Sequence, residues 1–202
     1  MAPAHTALGA VTGLDTKSPD GHATVTVHED ANDNARAALV VGRHIYRLSQ
    51  IDKLKTSASL VDVKWSPDSQ VVSLNVSDGG AVGDFHAMIY RLHGKDAPAF
   101  VDIEPLLAPY LRHFSHCDGG PEINYVAAAW PAGGRQAAIL ASVPGHSLCR
   151  NMGDYKAFIL DTRTWRIVKI IPQRQIPKTW TPARYNITIP GLTLPVVLAS
   201  QP

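Results

Sequence analysis

Apolar and polar residues alternate with a period of two along much of the chain, the pattern of strands that bury one face. ATVTVHE at Ala23 to Glu29, AALVVGRHIYRL at Ala37 to Leu48, VVSLNV at Val71 to Val76 and HAMIYRL at His86 to Leu92 are alternating or continuously apolar runs of strand length. Gly, Asp, Asn and Pro separate them, residues that supply the positive φ, preset φ or local capping a turn needs. Helical spacing is confined to DIEPLLAPYLRHF, Asp102 to Phe114, where Ile103, Leu106, Leu107, Tyr110 and Leu111 recur on one face. Pro105 and Pro109 lack backbone donors and hold that stretch to short turns. SQIDKLKTS, Ser49 to Ser57, predicts one more turn. The pattern predicts a single all-β domain over 1–202 with helical turns near 50–57 and 102–114. Residues 1–20 are expected as a flexible N-terminal segment. Residues 172–202 form a Pro-rich segment in which YNITIPGLTLPVVL reads as a closing strand pair, expected to cover an exposed edge near the N-terminus.

Internal repeats sharpen this reading. HIYRL at His44 to Leu48 recurs as MIYRL at Met88 to Leu92, with FILDT at Phe158 to Thr162 as a degenerate copy. VDVKWSPDSQVVSLNV from Val61 aligns with VAAAWPAGGRQAAILASV from Val126, which puts Trp65 and Trp130 in register. GDFHAMI at Gly83 and GDYKAFI at Gly153 share their Gly-Asp-aromatic start, their Ala and their Ile. Each unit therefore reads as a strand ending in Trp, a tight turn, a second strand, a variable polar loop and a third strand. Trp65 and Trp130 are expected at equivalent, largely buried positions.

The run W-S-P-D-S, Trp65 to Ser69, lies between two strand patterns and is followed by an IYRL strand. It resembles the repeat of WD-like and TolB-type β-propellers, in which a W-S-P-D-G turn joins two strands of a blade. Ser66 and Asp68 suit the capping of turn amides, and Pro67 presets φ at the first corner. Ser69 stands in place of the usual Gly, and the copy at Trp130 carries Pro-Ala-Gly-Gly. The resemblance runs from about Ala37 to Lys169 and implies a propeller-like stack of about three antiparallel blade units. Propellers close with about 4 to 8 blades, so three units make an incomplete or atypical ring. An open stack, a homodimer that covers the open sheet edges, or a sandwich that borrows the hairpin would each accommodate them.

Composition narrows the partners. Hydrophobic residues make up 45% and charged residues 18%, and the net charge of +2 is spread without a basic run. Neither nucleic acid nor an anionic membrane is indicated, and the longest apolar stretches fall short of the roughly 20 residues a spanning helix needs. Cys117 and Cys149 each lie in a Gly- and polar-rich loop, and two cysteines suffice for one bridge. A disulfide is the expectation, against two free thiols in a reducing cytoplasm. It would place the protein in the periplasm or outside the cell, with a native signal peptide removed, since MAPAHTALGAVTGLDTKSPDG contains neither a basic n-region nor an apolar h-region.

Candidate chemistry is sparse. HFSHCDGG gathers His113, His116, Cys117 and Asp118, residue types that hold zinc or activate a thiol, at spacings that match no standard site. No metal is expected, and His113, His116 and Asp118 are the ligand candidates. In HEDANDNA, Asp30, Asn32 and Asn34 follow the alternate-residue start of a calcium loop, but Ala35 and Val41 stand where that loop needs Gly and a bidentate Glu. Phosphate-loop, dinucleotide, G-x-S-x-G and HExxH motifs are all missing, so no cofactor is expected. Asn75-Val-Ser and Asn186-Ile-Thr are glycosylation sequons in a eukaryotic secretory setting.

Two functional classes follow. The first is a non-catalytic protein-binding module of the inhibitor or immunity type, whose variable loops present a surface to another protein. The second is a small hydrolase that uses the His/Cys/Asp loop cluster, with or without a metal. The missing catalytic set favours the first. The longest and least repetitive loops are Ser77 to Gly83, Phe114 to Pro121 and Val143 to Gly153. Recognition is expected through Asp118, His146 and Arg150, with the Cys117–Cys149 bridge drawing two of these loops together.

Overall fold

A computed structural model describes residues 13–79, 84–94, 96–118, 122–145 and 147–177. Among them, twelve strands form three four-stranded antiparallel sheets, and in each the spatial order follows the chain order. Sheet one contains β1 (Gly13–Lys17), β2 (Ala23–Glu29), β3 (Ala35–Val41) and β4 (His44–Arg47). Sheet two contains β5 (Val61–Trp65), β6 (Val71–Ser77), β7 (Phe85–Arg91) and β8 (Ala99–Val101). Sheet three contains β9 (Asn124–Ala129), β10 (Gln136–Ser142), β11 (Tyr155–Asp161) and β12 (Ile167–Pro172). Single 3-10 turns at Ile51–Lys53 and Ala58–Leu60 link sheets one and two, and helix α1 (Glu104–Leu111) links two and three, as the helical spacing predicts. No helix among the described residues is long and apolar enough to cross a membrane.

The sheets stack face to face. Val25, Val27 and Leu39 of sheet one share a core with Val72, Leu74 and Val76 of sheet two. The opposite face of sheet two places Val71, Ala87 and Ile89 against Leu107 of α1 and against Ile139, Phe158 and Leu160 of sheet three. A third cluster, with Ala138, Leu140, Ala157 and Ile159, lies on the far face of sheet three. Consequently β6 is buried along its whole length, its polar Ser73, Asn75 and Ser77 included. In β2 the core-facing Val25 and Val27 alternate with half-exposed Thr24 and Thr26, because among the described residues sheet one ends the stack.

The first turns of sheets one and two are the same device. Ser66 Oγ donates to Asp68 Oδ1 at 2.6 Å and accepts the Val71 amide at 2.9 Å, and the Ser66 amide donates to Val71 O at 2.8 Å. Ser18 repeats all three bonds with Asp20 and Ala23 at 2.6, 2.9 and 2.8 Å. The turn's fourth residue has positive φ in both, 74° at Gly21 and 59° at Ser69. Ser18-Pro19-Asp20-Gly21 is therefore a full blade turn. Residues 13–20, placed in a flexible segment by the sequence reading, form β1 and the start of this turn. In sheet three the Pro-Ala-Gly-Gly turn brings Gly134 against the neighbouring turn. A Cβ there would sit 2.6 Å from the carboxyl carbon of Asp68, at a φ of +96° that also favours glycine.

One repeat alignment is corrected. His44–Arg47 is the fourth strand of sheet one, whereas Met88 to Arg91 lie in the third strand of sheet two. Both need the same alternation, so five similar letters cannot tell them apart. GDFHAMI and GDYKAFI do lead into equivalent strands, β7 and β11, whose counterpart in sheet one is ARAALVV. Trp65 ends β5 and Trp130 directly follows β9, so the two indoles are equivalent, but both are half-buried rather than enclosed. They sit at the turn end of the stack, and Trp65 Nε1 donates to Thr16 O of sheet one at 3.1 Å. The expected closing strands of 185–198 lie outside the described residues.

Candidate functional site

The loops between second and third strands lie at the end of the stack opposite these turns, and each closes with the same kind of backbone bond. Asp30 N donates to Asn34 O at 2.9 Å, Asp78 N to Asp84 O at 3.1 Å, and Val143 N to Asp154 O at 2.8 Å. A common closure lets the loops differ in length without disturbing the strands. The shortest holds the calcium-like residues, in the hairpin between β2 and β3. The Asp30 carboxylate accepts the Asn32 and Asn34 amides at 2.8 and 3.1 Å and pairs with the Arg36 guanidinium at 2.5 Å. These amides, Asn32 first, hold Asp30 below the usual carboxylate range, and Arg36 is the cation it faces.

The longest loop, in sheet three, is tied to the segment after α1. A Cys117–Cys149 disulfide joins them, as expected. Arg150 N donates to His116 O at 3.0 Å, and His116 N donates to Asn151 Oδ1 at 2.9 Å. Asn151 Nδ2 donates to Phe114 O at 2.8 Å and to Asp154 Oδ2 at 3.0 Å. The two backbones are thus zipped together, leaving the side chains of His116, Asp118 and Arg150 exposed on one platform. Two of the expected binding residues, Asp118 and Arg150, are brought together here, and the third, His146, lies outside the described residues.

The platform carries two residues that the sequence reading passed over. Leu148 is 86% exposed and Met152 is 44% exposed. A local turn holds Leu148 outward, with Ser147 Oγ donating to Pro144 O at 2.8 Å and Cys149 N donating to Ser147 Oγ at 3.4 Å. The signal in the sequence was an apolar residue inside SLCRNMGD, a stretch with no strand or helix period to bury it.

Among the described residues, the side chains gathered closely enough for a shared ion are Cys117, Glu122 and Cys149, within 4.8 Å of one another. Two of those three sulfur and oxygen groups are committed to the disulfide, which removes the thiolates a metal would need. His113, His116 and Asp118 are not gathered in such a group. On the neighbouring strand, His86 Nδ1 lies 3.5 Å from Glu104 Oε1. The Glu104 hydrogen bond, reinforced by its charge and by Asp84 and Asp78, raises the imidazole pKa against the opposing effect of burial. The Tyr125 phenol is pushed up to about 12 by burial, with the Glu104 charge adding to it.

No protein-family model matches this chain, and no curated protein does. Among solved structures, the crystal structure of TolB from Acinetobacter baumannii is similar at 18% identity with a TM-score of 0.38. The alignment covers 80% of this chain and 33% of that one, so the chain spans about a third of the length of TolB.

Proposed function

We propose that the chain is a non-catalytic protein-binding module that holds its partner on the disulfide-tied platform of sheet three. Asp118, His146 and Arg150 are its polar contacts, and Leu148 and Met152 its apolar anchors. The observation that carries this reading is the 86% exposure of Leu148 on a loop that is cross-linked and hydrogen-bonded on both sides. Burying a leucine is worth about 1.5–3 kcal/mol, which this fold leaves for an intermolecular contact. A loop already ordered loses little further entropy on binding. Apolar anchors ringed by charged and polar groups are the usual make-up of an interface core and rim.

The disulfide supports a working place in an oxidising compartment, periplasmic or extracellular, where an inhibitor or immunity-type protein meets its target. The competing hydrolase reading loses its thiol nucleophile to the same bridge, since a disulfide sulfur cannot attack a carbonyl as a thiolate does. The test is affinity capture from a native extract with wild type, Leu148→Asp and a sheet-one control, Thr24→Glu, immobilised in parallel. A partner retained by wild type and the control but lost by Leu148→Asp supports the reading. A partner lost only by the control places the contact on the strand face of sheet one instead.

A further inference from the structure

We infer that a pocket between the outer strands of sheets one and two takes a small uncharged aromatic molecule whose carbonyl oxygen accepts a hydrogen bond from the Tyr90 hydroxyl. The site lies apart from the sheet-three platform and goes beyond the reading above. It encloses about 320 Å³, at the small end of the roughly 300–1,000 Å³ usual for ligand pockets. One wall is residues 45–50, from β4 and the turn after it, and the other is Ala97, Pro98 and Phe100, from β8 and the segment before it. The two IYRL runs meet here, since Tyr46 of β4 and Tyr90 of β7 both line the pocket despite their different places in their sheets.

The polar anchor is Tyr90. It is 4% exposed, yet its hydroxyl has no hydrogen-bond partner, an arrangement that buried phenols usually avoid. Burial raises its pKa above the ordinary phenol value, so the oxygen keeps its proton. The Gln50 backbone amide opposes that rise, but it is itself a donor and can meet only a lone pair of the oxygen. The proton therefore needs an acceptor, and Gln50, which the hydroxyl end of the ring approaches, is part of the pocket wall.

The rest of the pocket selects for an apolar, uncharged body. Ile45, 73% exposed, and Phe100, 38% exposed, stand at its rim, while Leu48 is buried at its base. Phe100 lies across from Tyr90 in the β7–β8 register, with ring centroids 5.5 Å apart and planes inclined by 54°, a tilted pair that a further ring can join. Arg47 is the ionised side chain among the lining residues, and Asp52 Oδ2 already pairs with it at 2.8 Å while Asp52 Oδ1 accepts from Arg36 at 3.0 Å. With its cation answered and the Asp52 charge felt at the phenol, the pocket disfavours a carboxylate.

The experiment is an NMR titration of the whole chain, labelled with nitrogen-15, using acetophenone, ethylbenzene and benzoate as probes. Acetophenone should shift the amides of residues 45–50, 90 and 97–100 and bind more tightly than either of the others. Tyr90→Phe keeps the ring and removes the donor, so it should weaken acetophenone roughly threefold to tenfold and leave ethylbenzene unchanged. The free variant should also unfold at no lower a temperature than wild type, because a hydroxyl without a partner contributes nothing to the fold. A lower midpoint for Tyr90→Phe would show that the hydroxyl is already bonded within the protein and would overturn the inference. So would unchanged acetophenone affinity in that variant, tighter binding of benzoate, or no shift with any probe.

Discussion

The carboxamide of Asn75 pairs with both backbone groups of Ala127, accepting its N–H at 2.8 Å and donating to its C=O at 3.1 Å. A side chain from the centre of sheet two thus supplies the bonds that another strand would give to the first strand of sheet three. Asn75 is fully buried, so its sequon is not a surface acceptor in the folded protein. Asn75→Ala is expected to cost about 2–4 kcal/mol, since two buried backbone groups lose their partners. Asn75→Asp should cost at least as much, because it loses the donor and places a second carboxylate near Asp62, whose Oδ2 lies 3.4 Å from Asn75 Nδ2. Urea unfolding of the two variants measures both values.

Ser69 shows why the second blade turn departs from glycine. Its Oγ accepts the Asp20 amide of the preceding sheet's turn at 3.1 Å, while its φ of 59° carries the strain of a non-glycine residue. Ser69→Gly removes both the bond and the strain and is expected to change stability by less than about 1 kcal/mol. Ser69→Ala keeps the strain and loses the bond, so it should be the more destabilised of the two by about 1 kcal/mol. Thermal unfolding of the pair checks the order.

The turns also show how far the sequence could be read. Alternation in β2, β3, β6 and β7 and the Trp65 turn were enough to give all-β architecture and about three blade units. Ser18-Pro19-Asp20-Gly21 was passed over because Lys17 occupies the place of Trp65, although the capping chemistry depends on Ser and Asp and not on the indole. The HIYRL match slipped one strand because amphipathic strands share one period whatever their place in a sheet. For the site, loop length and two cysteines indicated the platform. The outward aim of Leu148 depends on the Ser147 turn and on the Asn151 contacts, which join residues far apart in sequence.

The Cys117–Cys149 bridge spans a sequence separation of 32. Closing a loop of that length removes about 3–4 kcal/mol of denatured-state entropy in the chain-entropy picture. Cys117→Ser/Cys149→Ser should lose stability of that order, and the unfolded, unreduced wild type should titrate with no free thiol. Two titratable thiols would remove the support for an oxidising compartment.

His86 gives the stability a defined pH dependence. Its folded pKa is raised above the ordinary imidazole value, chiefly by the hydrogen bond to Glu104. A raised pKa in the folded state means that the protonated imidazole stabilises the fold fully below the unfolded pKa, and that this contribution is lost as pH rises through the folded value. The stability difference between wild type and His86→Gln should therefore shrink as pH rises from about 6 to 8. A difference that does not change with pH over that range would disconnect His86 from Glu104.

Binding on the sheet-three platform is tested most directly by hydrogen-exchange mass spectrometry of the chain with and without its captured partner. Peptides covering 113–118 and 147–153 should gain protection in the complex, while those of β1 to β4 stay unchanged. Protection confined to sheet one, with the residues around Leu148 and Arg150 exchanging as in the free protein, would contradict it.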